Sequence, residues 1–145
     1  MSKTSLIAFA CVALLGGCNS RPAPAPEKAA EASKATPERS VAEVATALKD
    51  KTVVAIDANN IETRQQYGVV PGAVLLSDHR DYALTELPSD KAKALVFYCG
   101  GTQCRASDAA ASKAISAGYA NVSVMREGIK GWAGAGQPTT SLPKS

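Results

Sequence analysis

Two cysteines five positions apart, Cys99 and Cys104, bracket a pair of glycines and are followed at once by an arginine. The run reads Cys99-Gly100-Gly101-Thr102-Gln103-Cys104-Arg105, with an apolar stretch before it and an alanine-rich stretch after it. Glycines let a backbone curl and turn its N–H groups inward. A curled segment feeding a helix N-terminus is an anion cradle, because it joins free amides to the positive end of the helix dipole. A thiol at its base should ionise below the value of about 8.5 found for free cysteine, and Arg105 adds a full positive charge. These residues describe an activated thiolate at Cys99 facing an anion site built by 100–105. The bland reading of the same residues is a buried strand-end cysteine before an inert turn, with Cys104 filling space beneath it. His79 is the only histidine, so multi-histidine metal sites are excluded, and two thiols without a nearby histidine make an incomplete metal site. No metal or organic cofactor is expected.

The elements that must hold this loop can be read from hydrophobic patterning. Residues 94–98 (ALVFY) and 52–56 (TVVAI) are continuous apolar runs, the mark of strands buried on both faces. Asp57 ends the second of these runs and is expected to be structural, holding backbone amides near the site. Residues 73–76 and 121–125 (NVSVM) are further strands. Helices are expected over 61–67, 106–117 and 129–135, with Gly118 stopping the second in the left-handed position. Ser40-Val41-Ala42-Glu43 is a capping box that opens an amphipathic helix carrying Val41, Val44, Ala45 and Leu48 on one face. Residues 77–90 read as loop with a helical turn near 83–87, which leaves His79 as a surface residue. Tyr119 and Trp132 read as core. Strands alternating with helices imply an α/β domain of three layers, with a mostly parallel central sheet covered by helices on both faces. Ligands in such folds bind beyond the carboxyl ends of the strands, which is where Cys99 falls.

Upstream of this domain the chain changes character. Residues 1–17 carry Lys3, a short apolar core over 6–15 and two small residues, the pattern of a secretory signal. The apolar run is about half of the roughly 20 residues that span a bilayer as a helix. Leu15-Gly16-Gly17-Cys18 resembles the bacterial lipobox, in which the cysteine is lipidated and becomes the new N-terminus. Residues 18–39 follow as a tether: four prolines, many alanines and no aliphatic side chain larger than alanine until Val41. The domain is expected over 40–138, with a tail at 139–145. The 145-residue chain has a formal net charge of +3, too little to suggest nucleic-acid binding or electrostatic membrane attachment. The lipid on Cys18 would do the anchoring, in the bacterial cell envelope and facing the periplasm. Asn19, where aspartate commonly retains lipoproteins at the inner membrane, leans toward the outer membrane by that resemblance.

Within the domain, several short strings resemble the rhodanese-like domain family in order and spacing. They are Thr52 to Asp57; Glu62-Thr63-Arg64 through Tyr67 with Pro71-Gly72-Ala73; Phe97-Tyr98-Cys99; Ala117-Gly118-Tyr119 with Asn121-Val122; and Glu127-Gly128-Ile129, Trp132 and Gly136-Gln137-Pro138. The family's usual histidine before its Pro-Gly-Ala is replaced by Gly68-Val69-Val70, its Asp-x-Arg reads Asp57-Ala58-Asn59, and its loop holds no second cysteine. The resemblance implies a monomeric sulfurtransferase. Cys99 would take sulfane sulfur from a small anionic donor such as thiosulfate, the amides of Gly100, Gly101, Thr102, Gln103, Cys104 and Arg105 would stabilise the persulfide, and cyanide or a thiol would accept it. Two other readings stand beside it. Cys99 and Arg105 have the C-x5-R spacing of cysteine phosphatases and arsenate reductases, though residues 100–104 hold no carboxylate to act as general acid. Cys104 can also serve as a resolving thiol, making the pair a redox or thiol relay.

Overall fold

The computed structural model describes residues 35–143. The signal at 1–17, the lipidation site Cys18 and most of the 18–39 tether lie outside the described residues. Four strands, β1 (Val53–Asp57), β2 (Val74–Leu75), β3 (Ala94–Tyr98) and β4 (Val122–Met125), form one sheet in the order β2-β1-β3-β4. Every pairing is parallel, with Ile56 opposite Phe97 and Phe97 opposite Val124. The helices are α1 (Val41–Lys49), α2 (Ile61–Tyr67), α3 (Ala106–Ser116) and α4 (Gly128–Gly134).

Alternation along the strands sends side chains to two separate cores. Leu95, Phe97 and Cys99 face a layer with Ala110, Ala111 and Ala114 of α3, closed by Leu76, Tyr82 and Leu87. Val96 and Tyr98 face the other layer, with Val41 and Val44 of α1, Tyr67 of α2, and Ile129 and Trp132 of α4. Both expected features of the α/β architecture are therefore present: a parallel sheet, and helices on each face. The small residues of α3 let that helix lie close to the sheet. The segment after β1 crosses to β2 on one side, and β3 lies on the other. The carboxyl ends of β1 and β3 thus flank a topological switch point, the usual ligand crevice of open parallel sheets.

Local signals behave as expected at the helix ends. Ser40 and Glu43 form the capping box, Asn60 accepts from the Thr63 N–H at 3.0 Å, and Gly118 takes φ +92° behind α3. The 77–90 stretch is better ordered by its polar groups than its sequence suggests. Glu86 accepts from the Ser77 N–H and hydroxyl, both at 2.7 Å, and Lys113 of α3 donates to the Arg80 and Tyr82 carbonyls. Tyr82, 1% exposed, belongs to the core, and burial pushes its phenol up to about 12.

Main-chain contacts are also made on both sides of residues 40–138. Before Ser40, the Arg39 N–H donates to Val124 O at 2.9 Å and the Val124 N–H to Pro37 O at 2.8 Å, so residues 37–39 run along the open edge of β4. After Pro138, Thr140 exchanges two backbone hydrogen bonds with Val69. Both contacts are made by main chain, which hydrophobic patterning does not report. The Thr140 segment also explains Gly68. With φ +77°, a Cβ there would meet Thr140 O at 2.9 Å.

Candidate active site

Cys99 follows the last residue of β3 and is 1% exposed. Its sulfur is joined to that of Cys104 in a disulfide, with the two Cα atoms 6.2 Å apart. The curl of the loop brings the two Cα atoms within the ordinary disulfide range, so the pair whose redox state the sequence leaves open is bonded here. On its buried side the Cys99 sulfur lies 3.4 Å from the hydroxyl of Ser107, itself 1% exposed in the first turn of α3.

The loop is clamped from α4. The Ile129 N–H donates to Cys99 O at 2.8 Å and the Lys130 N–H to Gly100 O at 3.2 Å. This approach depends on Gly128, whose φ is +60° and whose missing Cβ would press on Cys99 O and lie 2.7 Å from Gly101 N. Within the loop only the Cys104 N–H has a protein acceptor, Gly101 O at 2.9 Å. The remaining loop amides, directly ahead of α3, keep their donor capacity for a ligand.

Two cavities flank the loop. One of about 380 Å³ is lined by Gly100, Gly101, Thr102, Gln103, Cys104 and Lys130. The other, of about 310 Å³, is lined by Asn59, Asn60, Thr63 and His79 together with Gly100 and Cys104. A larger cavity by α1 contains none of these residues. Cys104 lines both of the loop cavities and is half-buried, whereas Cys99 lines neither. His79, expected on a surface loop, lines the second cavity because the Glu86 and Lys113 hydrogen bonds fix its loop.

Arg105 stands apart from the rest of its motif. Its side chain is 77% exposed, donates to Asp108 at 3.3 Å and lines neither loop cavity. The basic group at the loop is Lys130, held 5.0 Å from the centre of the Tyr67 ring. Asp57 is fully buried at the end of β1. Its Oδ1 accepts from the Asn59 N–H at 2.7 Å and from Arg64 Nε at 3.1 Å, while Arg64 also donates to the Leu76 carbonyl. Arg64 is itself buried, is held by Asp57 and the Leu76 carbonyl, and lines neither loop cavity. Asn59, nine-tenths buried, leaves its Nδ2 without a partner beside this loop. Tyr98 accepts from the Val70 N–H, and burial, reinforced by the Asp57 carboxylate, keeps its phenol protonated.

Ser107, Gly128 and Lys130 were not singled out by the sequence as site residues. Only Gly128 carried a signal, as part of the Glu127-Gly128-Ile129 string; the other two reach the loop through tertiary packing alone.

The profile of the rhodanese-like domain family matches residues 40–135. Among curated proteins none is significantly similar in sequence. Of solved structures, a protein from Bacillus halodurans superposes with a TM-score of 0.63 at 20% identity, covering 73% of this chain and 77% of that one. A Rhodopseudomonas palustris protein of unknown function, described as a possible tyrosine phosphatase, gives 0.61 at 24% identity over 72% of this chain and 85% of its own. The thiosulfate sulfurtransferase of Pseudomonas aeruginosa gives 0.60 at 24% identity over 75% of this chain, which spans only 21% of that enzyme. At these identities the superpositions show the fold.

Proposed function

The chain belongs to the rhodanese-like domain family, and from that membership and the loop geometry we propose that it is a sulfurtransferase carrying sulfane sulfur as a persulfide on Cys99. The observation that carries this reading is the position of Cys99: it directly follows β3 and heads a loop whose amides, that of Cys104 excepted, have no protein acceptor ahead of α3. In the reduced protein the Cys99 thiolate attacks the outer sulfur of a thiosulfate-like donor. The donor's S–S bond breaks and sulfite leaves with its electron pair. Loop amides stabilise the negative charge on persulfide and sulfite. The Lys130 ammonium, at the cavity lined by residues 100–104, favours an anionic donor. Cyanide or a thiol then takes the outer sulfur and restores the thiolate. No metal or organic cofactor enters these steps.

The same proposal includes tethering. Cys18 carries the lipid, and the domain acts as a monomer facing the periplasm from the bacterial envelope, at the outer membrane.

Mass measurement of the reduced chain before and after thiosulfate tests the chemistry. A gain of about 32 Da that cyanide removes, absent in Cys99→Ser, is the expected result. A wild-type chain that gains no sulfur under these conditions overturns it.

A further inference from the structure

We propose that Cys99 and Cys104 form an internal relay, in which Cys104 discharges the Cys99 persulfide as hydrosulfide and an incoming dithiol reopens the resulting disulfide by attacking Cys104. The proposal rests on the persulfide reading above and assigns the protein a second outlet for its sulfur, as sulfide.

The disulfide closes within a loop held by main-chain hydrogen bonds. With Cys99 and Cys104 joined, Cys99 O and Gly100 O accept from Ile129 and Lys130, and the Cys104 N–H donates to Gly101 O. Cys104 is thus already within bonding reach of the Cys99 sulfur in the folded loop. In the persulfide state, the Cys104 thiolate attacks Cys99 Sγ, the inner sulfur. The new Sγ–Sγ bond forms as the inner–outer S–S bond breaks, and the outer sulfur departs with the electron pair as HS⁻. The two cysteines supply the two electrons that the sulfane sulfur accepts, so no external oxidant is needed.

The exposure of the two sulfurs differs in a way that fixes the return path. Cys99 is 1% exposed and enclosed by Ser107 and the α3 layer, while Cys104 is half-buried and borders both loop cavities. Which sulfur is attacked in thiol–disulfide exchange depends on access and on the leaving thiolate. A thiol entering either cavity meets Cys104 first. Attack there expels Cys99 as the thiolate, at the head of α3 and beside the Ser107 hydroxyl, which regenerates the nucleophile. The second thiol of the dithiol then releases Cys104 from the mixed disulfide. In sum, thiosulfate and a dithiol give sulfite, hydrosulfide, a cyclic or protein disulfide, and a proton.

The test uses the full-length chain, reduced and freed of reductant under anaerobic conditions, and given thiosulfate with no other thiol. Trypsin places both cysteines on one peptide, residues 94–105, so Cys11 and Cys18 do not interfere. The expected result is sulfide equal in amount to protein, with this peptide about 2 Da lighter than the dithiol form. In Cys104→Ser, and in Cys104→Ala as a folding control, the peptide should instead gain about 32 Da with no sulfide released. A wild-type peptide that keeps the added sulfur and releases no sulfide overturns the relay while leaving the persulfide reading intact. If neither wild type nor variant takes up sulfur, the persulfide reading fails and the relay with it. The order of opening is read by treating the oxidised chain with glutathione and locating the mixed disulfide by fragmentation. Glutathione on Cys104 is expected, and glutathione on Cys99 overturns the proposed direction of attack.

Discussion

Asp57 has no solvent exposure, and its one side-chain cation is Arg64, 3.1 Å from Oδ1; its Oδ2 has no partner. Removing one member of a buried ion pair strands the other charge, at a cost of about 3–5 kcal/mol. Arg64→Met should therefore lower stability by that amount in urea unfolding, and Asp57→Asn combined with it should recover part of the loss. A single variant within about 1 kcal/mol of wild type would show that the carboxylate is otherwise compensated. Gly128 presents a different constraint, set by backbone. Its φ of +60° and the proximity of the Cys99–Gly101 main chain leave no room for a Cβ. Left-handed strain of about 1–2 kcal/mol for a non-glycine residue, added to overpacking of about 1–3 kcal/mol, predicts that Gly128→Ala is destabilised by at least about 2 kcal/mol. Because the strain falls on the clamp over Cys99 and Gly100, sulfur loading should fall more steeply than stability. Equal thiosulfate uptake by folded Gly128→Ala and wild type would sever the clamp from the chemistry.

Between elements, a charged network ties α3 to the end of β4. Arg126 donates two hydrogen bonds to Asp108, at 2.7 and 2.9 Å, and two more to Glu38 in the edge segment. The Arg126 guanidinium holds the Asp108 carboxyl below its ordinary value of 3.8. A carboxyl depressed on folding contributes stability that is complete above its unfolded pKa and is lost as pH falls through the folded value. The window of loss therefore begins near 3.8 and extends to more acid pH. Asp108→Asn should lower stability near neutrality by about 1 kcal/mol, the scale of a partly exposed ion pair, and should unfold with a flatter acid limb. If wild type and variant lose stability in parallel below pH 4, another carboxylate governs the acid limb. The 37–39 segment also covers the open edge of β4, a place where an unpaired strand invites association with another chain.

At the scale of the whole molecule, the proposed arrangement is a catalytic domain held to a membrane through Cys18, with its edges sealed by main-chain contacts at residues 37–39 and 140. Among the described residues no helix is long and apolar enough to cross a membrane. The proposed attachment therefore rests on the Leu15-Gly16-Gly17-Cys18 string. Cys18→Ser should release the chain from membranes or leave it unprocessed, as read by fractionation after a high-salt wash and by the mass of the N-terminal peptide. A processed variant that still sediments with membranes would rule out lipid anchoring.

The sequence by itself determined the elements and their order. Residues 94–98 and 61–67 are strand and helix by patterning alone, because side-chain burial and capping are local choices repeated along the chain. The position of Cys99 was legible for the same reason, since a cysteine closing an apolar run sits at a strand end. Tertiary structure alone decided what surrounds it. Ser107 and Lys130 reach the loop from α3 and α4, and Asn59 from the segment after β1, and spacing along the chain carries no record of distances across the sheet. It also turned Arg105 toward Asp108 and away from the loop cavities, through an ion pair on the outer face of α3. The Cys99–Cys104 bond belongs to this second class. Five positions of separation permit many Cα distances, and the clamp from α4 fixes the loop in which that distance is 6.2 Å.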